Sequence, residues 1–448
     1  MAGASPSFAA VAGVVSFLAL AGCGSDEERP AKRPPHVVFV LVDGLRADRV
    51  GWYGGGAGLT PFLDGLAGSS SIFWHAYTPG DTTVPVLASL FTSRFPSQHG
   101  VDSLTARLER RQPTLAQALR EAGYATAFFS AHPLLNARLG LGRGFELGRV
   151  YYEVRKQRVT RLGTDALAWL DRTRAARPEA PVFLFLHLMD VHEPWGLHPA
   201  LATVLERRGE APEQLGKLAE LAARDLRFAA MSSEEAELAR VLYDAEVAGL
   251  DGALRNLFEE LDARGILSDA IVVVTSDHGV ELLDHGGRGY GHALWDELIR
   301  VPLLVKRPGQ LARSDVDEVV SLVDLAPTLL AAAGLPVPPV FQGRSRVDAL
   351  GGRSWLRRLA EPGRHGTAYS ERAVQGGARQ HARAVIHRSG KLIESSDGAH
   401  EFYDLASDPA ERRPDGLGPR DTFPTRGELE RLRAELARGG IATAVDRR

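Results

Sequence analysis

Val37-Val-Phe-Val-Leu-Val42 is apolar at every position, with no polar residue on alternate sites. A strand with one wet face alternates; one without alternation is buried on both faces, as inside a parallel sheet. Comparable runs recur at 124–129, 181–186, 270–275 and 301–305. Helical patterns lie between them. Thr60-Pro61 puts a cap residue before a proline at the first helical position. Residues 113–122 and 164–173 read as two more helices. Ser232 and Glu235 have capping-box spacing at the head of a long helix running towards Gly265, with a break at Gly249 or Gly252. This alternation predicts an α/β fold, a doubly wound and mostly parallel sheet flanked by helices.

The pattern changes after a further helix at 324–334. A Pro-rich link, 336–339, leads to short runs at 384–387, 391–394 and 401–404 that read as a small C-terminal antiparallel subdomain. An Arg/Glu/Leu helix follows at 426–438. The expected organisation is a catalytic domain over 36–340 and a C-terminal subdomain and tail over 341–448. With 448 residues, 44% of them hydrophobic, the chain has ample material for a packed core, which excludes disorder. A formal net charge of −3 gives no nucleic-acid footprint.

Cys23 is the only cysteine, which excludes an intrachain disulfide, a Cys-ligated zinc and a cysteine nucleophile in the body. It closes an apolar run of about 13 residues, Ala9 to Ala21, the length of a signal h-region rather than of a membrane span. Leu20-Ala-Gly-Cys23 resembles a bacterial lipobox, in which the cysteine becomes the acylated first residue. Residues 1–22 are then a lipoprotein signal peptide and 23–35 an acylated tether. The segment Met1 to Phe8 has no Lys or Arg, so the start codon is open. Gly24 and Ser25 after the cysteine, with no Asp, point by resemblance to a Gram-negative outer-membrane lipoprotein facing the periplasm or cell surface.

Open α/β sheets place their sites at the carboxyl ends of strands. The runs here end in Asp43, in His187 to His192, and in Asp277-His278. A cluster of Asp and His at three strand ends suits Zn²⁺ or a similar divalent ion.

Ordered along the chain are Val42-Asp-Gly-Leu-Arg-Ala-Asp48, Thr60-Pro-Phe-Leu-Asp-Gly-Leu66, Pro85 to Thr92 with Arg94-Phe-Pro96, His187 to Pro194, Thr275-Ser-Asp-His-Gly279, Arg300-Val-Pro302 and Phe402-Tyr-Asp-Leu405. This series resembles the sulfatase family of the alkaline phosphatase superfamily. The resemblance implies an alkaline-phosphatase-like fold and metal-dependent cleavage of phosphate or sulfate esters. Thr83 stands where formylglycine sulfatases carry their modified Cys or Ser, and Leu87 replaces the Arg of that motif. No lysine lies between 33 and 155 or between 218 and 305, so the two lysines that clamp the ester in those enzymes have no counterpart. Thr at this position resembles instead the phospho-transferring members, where a metal-activated hydroxyl attacks phosphorus. Thr82 is adjacent, but the spacing to Pro85 selects Thr83.

Carried over residue by residue, Asp43, Asp277 and His278 match metal ligands, with the Thr83 oxygen completing the shell. Gly44 replaces the second Asp of many members, which favours Zn²⁺ or Mn²⁺ over Ca²⁺ with its larger oxygen count. His192 and His292 match residues that contact the ester. With Asp190 they also have the composition of a second metal site, the alternative being that the histidines are hydrogen-bond donors or the leaving-group acid. His285 reads as a turn residue, and His99 and His132 as structural. Residues 195–231 read as an insertion over the mouth of the site. Three readings follow: phosphoryl chemistry at Thr83, hydrolysis or transfer; a sulfatase using unmodified Thr; or a degenerate lipoprotein that only binds its ligand.

Overall fold

The computed structural model describes residues 33–55, 58–133, 135, 137–151, 158–209, 214–224, 231–350, 366–372, 381–414 and 434. The signal segment, Cys23, most of the tether and all but one residue of the tail helix lie outside the described residues. Among the described residues, fourteen strands are β1 (His36–Val42), β2 (Ser71–Tyr77), β3 (Ala125–Ser130), β4 (Leu147–Val150), β5 (Val182–Leu188), β6 (Ala270–Ser276), β7 (Glu281–Leu282), β8 (Arg288–Gly289), β9 (Leu303–Lys306), β10 (Ser314–Ser321), β11 (Ala368–Arg372), β12 (Ala382–Ile386), β13 (Gly390–Ser395) and β14 (His400–Asp404). Eight form one sheet in the order β10-β2-β9-β6-β1-β5-β3-β4. Only β9 runs against its neighbours. Strands β11 to β14 make a separate antiparallel sheet, and β7 and β8 a hairpin.

The unbroken apolar run of β1 is explained by two cores, one on each face. Val38, Val40 and Val42 pack with Val241, Leu242, Leu250 and Leu254 of the helix Ser233–Ala263 and with Leu162 and Leu170 of the helix Val159–Ala176. Val37, Phe39 and Leu41 pack with Val86, Leu87 and Leu90 of the helix Thr83–Thr92 and with Leu329 and Leu330 of the helix Leu325–Ala332. Each buried side chain contributes about 1.5–3 kcal/mol, so either face alone exceeds the net stability of a typical domain. An aromatic cluster fastens the second face, with Phe185 5.0 Å from both Phe39 and Phe91.

The long helix begins as expected: Ser232 Oγ accepts from the Glu235 amide, and the Glu235 carboxylate accepts from the Ser232 amide. It does not break. Gly249 is there because His198 packs against it, and a Cβ would stand 2.1 Å from that imidazole. The run at 301–305 is shorter and later, as β9, and antiparallel. Strands β2, β4 and β10 have no counterpart in the sequence reading. The described part of 195–231 forms helices Leu201–Arg208 and Leu215–Ala222, of which Leu201, Leu205, Leu218 and Leu221 join the core under the long helix. It belongs to the helical layer on that face rather than standing apart as a lid.

Register positions the chemistry. Val42 lies opposite Leu188 on one side and Ser276 on the other. The next residues, Asp43 and Asp277, therefore leave neighbouring strands side by side.

Candidate active site

Thr83 is the first residue of its helix, where N–H groups have no intrahelical acceptor and Pro85 removes a donor at no cost. Its hydroxyl lies 3.3 Å from Asp43 Oδ2, to which it donates, and 3.3 Å from His278 Nε2. His278 Nδ1 donates to the Gly279 carbonyl at 2.8 Å, which leaves Nε2 with its lone pair towards the carboxylates. That nitrogen is 3.5 Å from Asp43 Oδ1 and 3.6 Å from Asp277 Oδ2. Asp43, Thr83, Asp277 and His278 are all fully buried.

Asp277 Oδ1 accepts from the amides of Gly44 and His278, whereas Asp277 Oδ2 and Asp43 Oδ1 have no hydrogen-bond partner. Burial, reinforced by the charge of Asp43, pushes the Asp277 carboxyl up. Burial raises Asp43 too, but the imidazoles of His192, His187 and His278 outweigh it and hold that carboxyl below the usual range. Two adjacent buried carboxylates, each with an oxygen unmatched, leave a place between them that a cation would stabilise. Among the described residues, neither forms an ion pair with Lys or Arg. The ligand atoms of Asp43, Asp277 and His278 lie within 4.8 Å of one another. The donor set fits a divalent metal.

His192 is close by. Its Nε2 is 4.0 Å from Asp43 Oδ1 and accepts from the Tyr290 hydroxyl at 3.0 Å, while Nδ1 donates to the Glu193 carbonyl. His292 is paired instead with Glu281, Nε2 to Oε2 2.5 Å. Asp190 is not gathered with them: both its oxygens accept from the Val159 amide, at 3.2 and 3.1 Å, at the head of the helix Val159–Ala176. Past the strand end its carboxylate serves an orphan helix donor. The expected grouping of Asp190, His192 and His292 is accordingly absent from the clusters of metal-ligating side chains among the described residues.

The structure also brings in residues outside the predicted ligand and catalytic set. His187 Nε2 is 3.4 Å from Asp43 Oδ2, and Nδ1 faces Ser130 Oγ at 3.0 Å. His132 lies 5.8 Å from the His187 ring, and burial pushes its imidazole down to about 4. It thus borders the site, unlike His99, whose nitrogens face Ser89 Oγ and the Val101 amide. His285 is more than a turn residue, bridging Glu297 and the Glu411 carbonyl. Asp81, two residues before Thr83, is buried with Oδ2 unpartnered; burial pushes its carboxyl up to about 7 against the pull of Arg372, His278 and His292. The sequence signal for His187 was its place in the third strand end. Arg372 had none.

The main sheet, its helical layers and the small antiparallel sheet make an alkaline-phosphatase-like α/β fold. A phosphonate monoester hydrolase of Agrobacterium radiobacter superposes with a TM-score of 0.71 over 91% of this chain and 96% of its own, at 19% identity. Residues 35–335 match the family described as Sulfatase, and residues 290–415 match that described as N-sulphoglucosamine sulphohydrolase, C-terminal. The chain belongs to the sulfatase family, a family of metal-dependent ester hydrolases. It is 24% identical to an ulvan-active sulfatase of Formosa agariphila over 92% of this chain and 83% of that protein. To an N-acetylglucosamine-6-O-sulfatase of Bacteroides thetaiotaomicron it is 23% identical, over 74% of this chain and 73% of the relative.

Proposed function

We propose that this sulfatase-family member is a metal-dependent hydrolase of phosphate or sulfate esters that uses Thr83 directly as nucleophile, with phosphoryl chemistry preferred. The observation that carries this reading is the Thr83 hydroxyl at a helix head, 3.3 Å from both Asp43 Oδ2 and His278 Nε2. Asp43, Asp277, His278 and Thr83 are the residues to hold a divalent ion, Zn²⁺ or Mn²⁺ by their chemistry, and when bound it supplies the positive charge that lowers a hydroxyl pKa and offsets charge on the ester oxygens.

The Thr83 hydroxyl proton is directed at Asp43 Oδ2, leaving the oxygen to attack phosphorus in line. The Oγ1–P bond forms as the bond to the leaving oxygen breaks. His292 is equipped to protonate that oxygen: burial opposes its protonation, but Glu281 more than restores it. Water then attacks the phosphothreonine, breaking the Oγ1–P bond and releasing phosphate. The head of the helix Thr83–Thr92 favours the oxyanion throughout. The same attack on sulfur is the second reading, favoured by the activities named for the two sulfatase relatives. The substrate is a small or envelope-derived ester, met at the outer membrane where Cys23 anchors the chain.

The test is protein stripped of metal and reloaded with Zn²⁺, Mn²⁺ or Ca²⁺, assayed on aryl phosphate, aryl phosphodiester and aryl sulfate, with rapid quench and mass spectrometry. Phosphate on Thr83, its loss in Thr83→Ala and retained turnover in Thr83→Ser support the reading. Label on another residue, or full activity in Thr83→Ala, sinks it.

A further inference from the structure

The C-terminal sheet reaches the loop that leads into Thr83. Along its first strand, β11, Ser370 Oγ donates to the Thr78 carbonyl and the Glu371 amide to the Pro79 carbonyl at 3.0 Å. Gly80 pairs with Glu371 as a parallel bridge, close enough that a Cβ on Gly80 would lie 3.2 Å from the Glu371 carbonyl oxygen. The Glu371 carboxylate then accepts from Ser97 N and Oγ, at 2.7 and 2.8 Å, beyond the other end of the nucleophile's helix. The next residue is Arg372. Its Nη1 donates to the carbonyl of His292, and its charge acts on the buried Asp81 carboxylate beside Thr83.

Several of the other described cations are committed elsewhere. Lys306 holds Ser69 and Gln310, Lys217 pairs with Glu234, and Lys391 is buried against Asp296 and Glu411. Arg46 is held by Asp48 and Asp284, and Arg158 by Glu246. Leu87 occupies the helix position where an arginine could have faced the ester, and it is buried in the core. A tetrahedral oxyanion ester needs donors arranged about it, and a guanidinium has five N–H groups in a planar fork. It can hold the His292 carbonyl and an oxyanion together.

We propose that Arg372, delivered by the C-terminal sheet, is the specificity-determining cation that receives the non-reacting oxygens of the ester at the Thr83 site. This rests on the functional reading above and adds the residue that recognises the anion. Recognition by charge favours a phosphate monoester dianion over singly charged diesters and sulfates.

The experiment uses the full chain loaded with Zn²⁺, with inorganic phosphate as probe, titrated calorimetrically against wild type, Arg372→Lys and Arg372→Met, alongside aryl phosphate kinetics. In Arg372→Met, phosphate affinity falls and KM rises by about ten- to a hundredfold, the effect of losing charge-assisted hydrogen bonds, while zinc content is unchanged. Arg372→Lys recovers part of the affinity, and guanidinium ion at millimolar concentration recovers part in Arg372→Met; a purely structural arginine gives neither rescue. Unchanged phosphate affinity in Arg372→Met, with phospho-Thr83 still trapped, overturns this inference alone. Arg372-dependent phosphate binding without any phospho-Thr83 overturns the nucleophile and leaves Arg372 standing.

Discussion

The ring of Tyr290 lies on that of His278, centroids 4.2 Å apart and planes 22° apart, and its hydroxyl donates to His192 Nε2 at 3.0 Å. One side chain therefore orients two of the site's imidazoles. Tyr290→Phe keeps the ring and removes the hydroxyl, and kcat/KM should fall by about two- to tenfold, the effect of one hydrogen bond. Metal content should not change. Tyr290→Ala also removes the stack on His278 and should cost more. Wild-type kinetics in Tyr290→Phe would show that the hydroxyl does not position His192.

Asp277→Asn separates the repulsion between carboxylates from the binding of a cation. Without metal, the variant should melt no lower than wild type, because the raised Asp277 carboxyl no longer faces Asp43. With Zn²⁺ at 100 times its Kd, wild type should gain about 2.7 kcal/mol by mass action. The variant should gain little and lose most turnover. Undiminished stabilisation by zinc in Asp277→Asn would remove Asp277 from the metal shell.

One buried ammonium, Lys391, serves two carboxylates: Asp296 at 2.5 Å and Glu411 at 2.7 Å. Burial pushes the Glu411 carboxyl up to about 7; Lys391 draws it down, but Asp296 shares the same ammonium. A carboxyl raised in the folded state keeps a proton that the unfolded chain gives up. Its contribution to stability is therefore present below the unfolded value near 4.5 and is lost as pH rises from there to about 7, by up to about 1.4 kcal/mol per pH unit. Glu411→Gln should flatten that decline, read from urea denaturation at pH 5, 6, 7 and 8. An equal slope in both proteins would place the proton elsewhere.

Cys23→Ser should move the protein from the membrane fraction to the soluble periplasmic fraction without altering kcat of the purified enzyme. An unchanged membrane fraction would refute acylation as the anchor.

Legibility in the sequence followed burial. The runs behind β1, β5 and β6 show because both faces are covered, so no polar residue interrupts them. Strand β10, Ser-Asp-Val-Asp-Glu-Val-Val-Ser, stayed hidden because it lies at an edge of the sheet and its acids, Asp315, Asp317 and Glu318, interrupt the apolar run. Asp43 and Asp277 could be found because strand ends are where backbone geometry aims side chains at a common point, whereas Thr83 was legible through the resemblance of its stretch to the sulfatase motif. Asp190 shows the limit: two residues from His192, it turns to the Val159 amide, since alternation stops predicting direction where the strand stops. Arg372 could not be read at all. Its neighbours Asp81 and His292 are remote in sequence, and only the pairing of β11 with the loop at Pro79 and Gly80 joins them.

That pairing fixes an order of assembly. Synthesis runs from the N-terminus, so Asp43 and Thr83 emerge first, and the two central strands β1 and β6 can join only once residue 276 is made. The wall beside Thr83 closes later still, when Ser370 and Glu371 bind the carbonyls of Thr78 and Pro79. A growing chain thus lacks Asp277, His278 and the Arg372 strand beside Thr83 until most of its described fold exists, so that the assembled site itself reports completed folding.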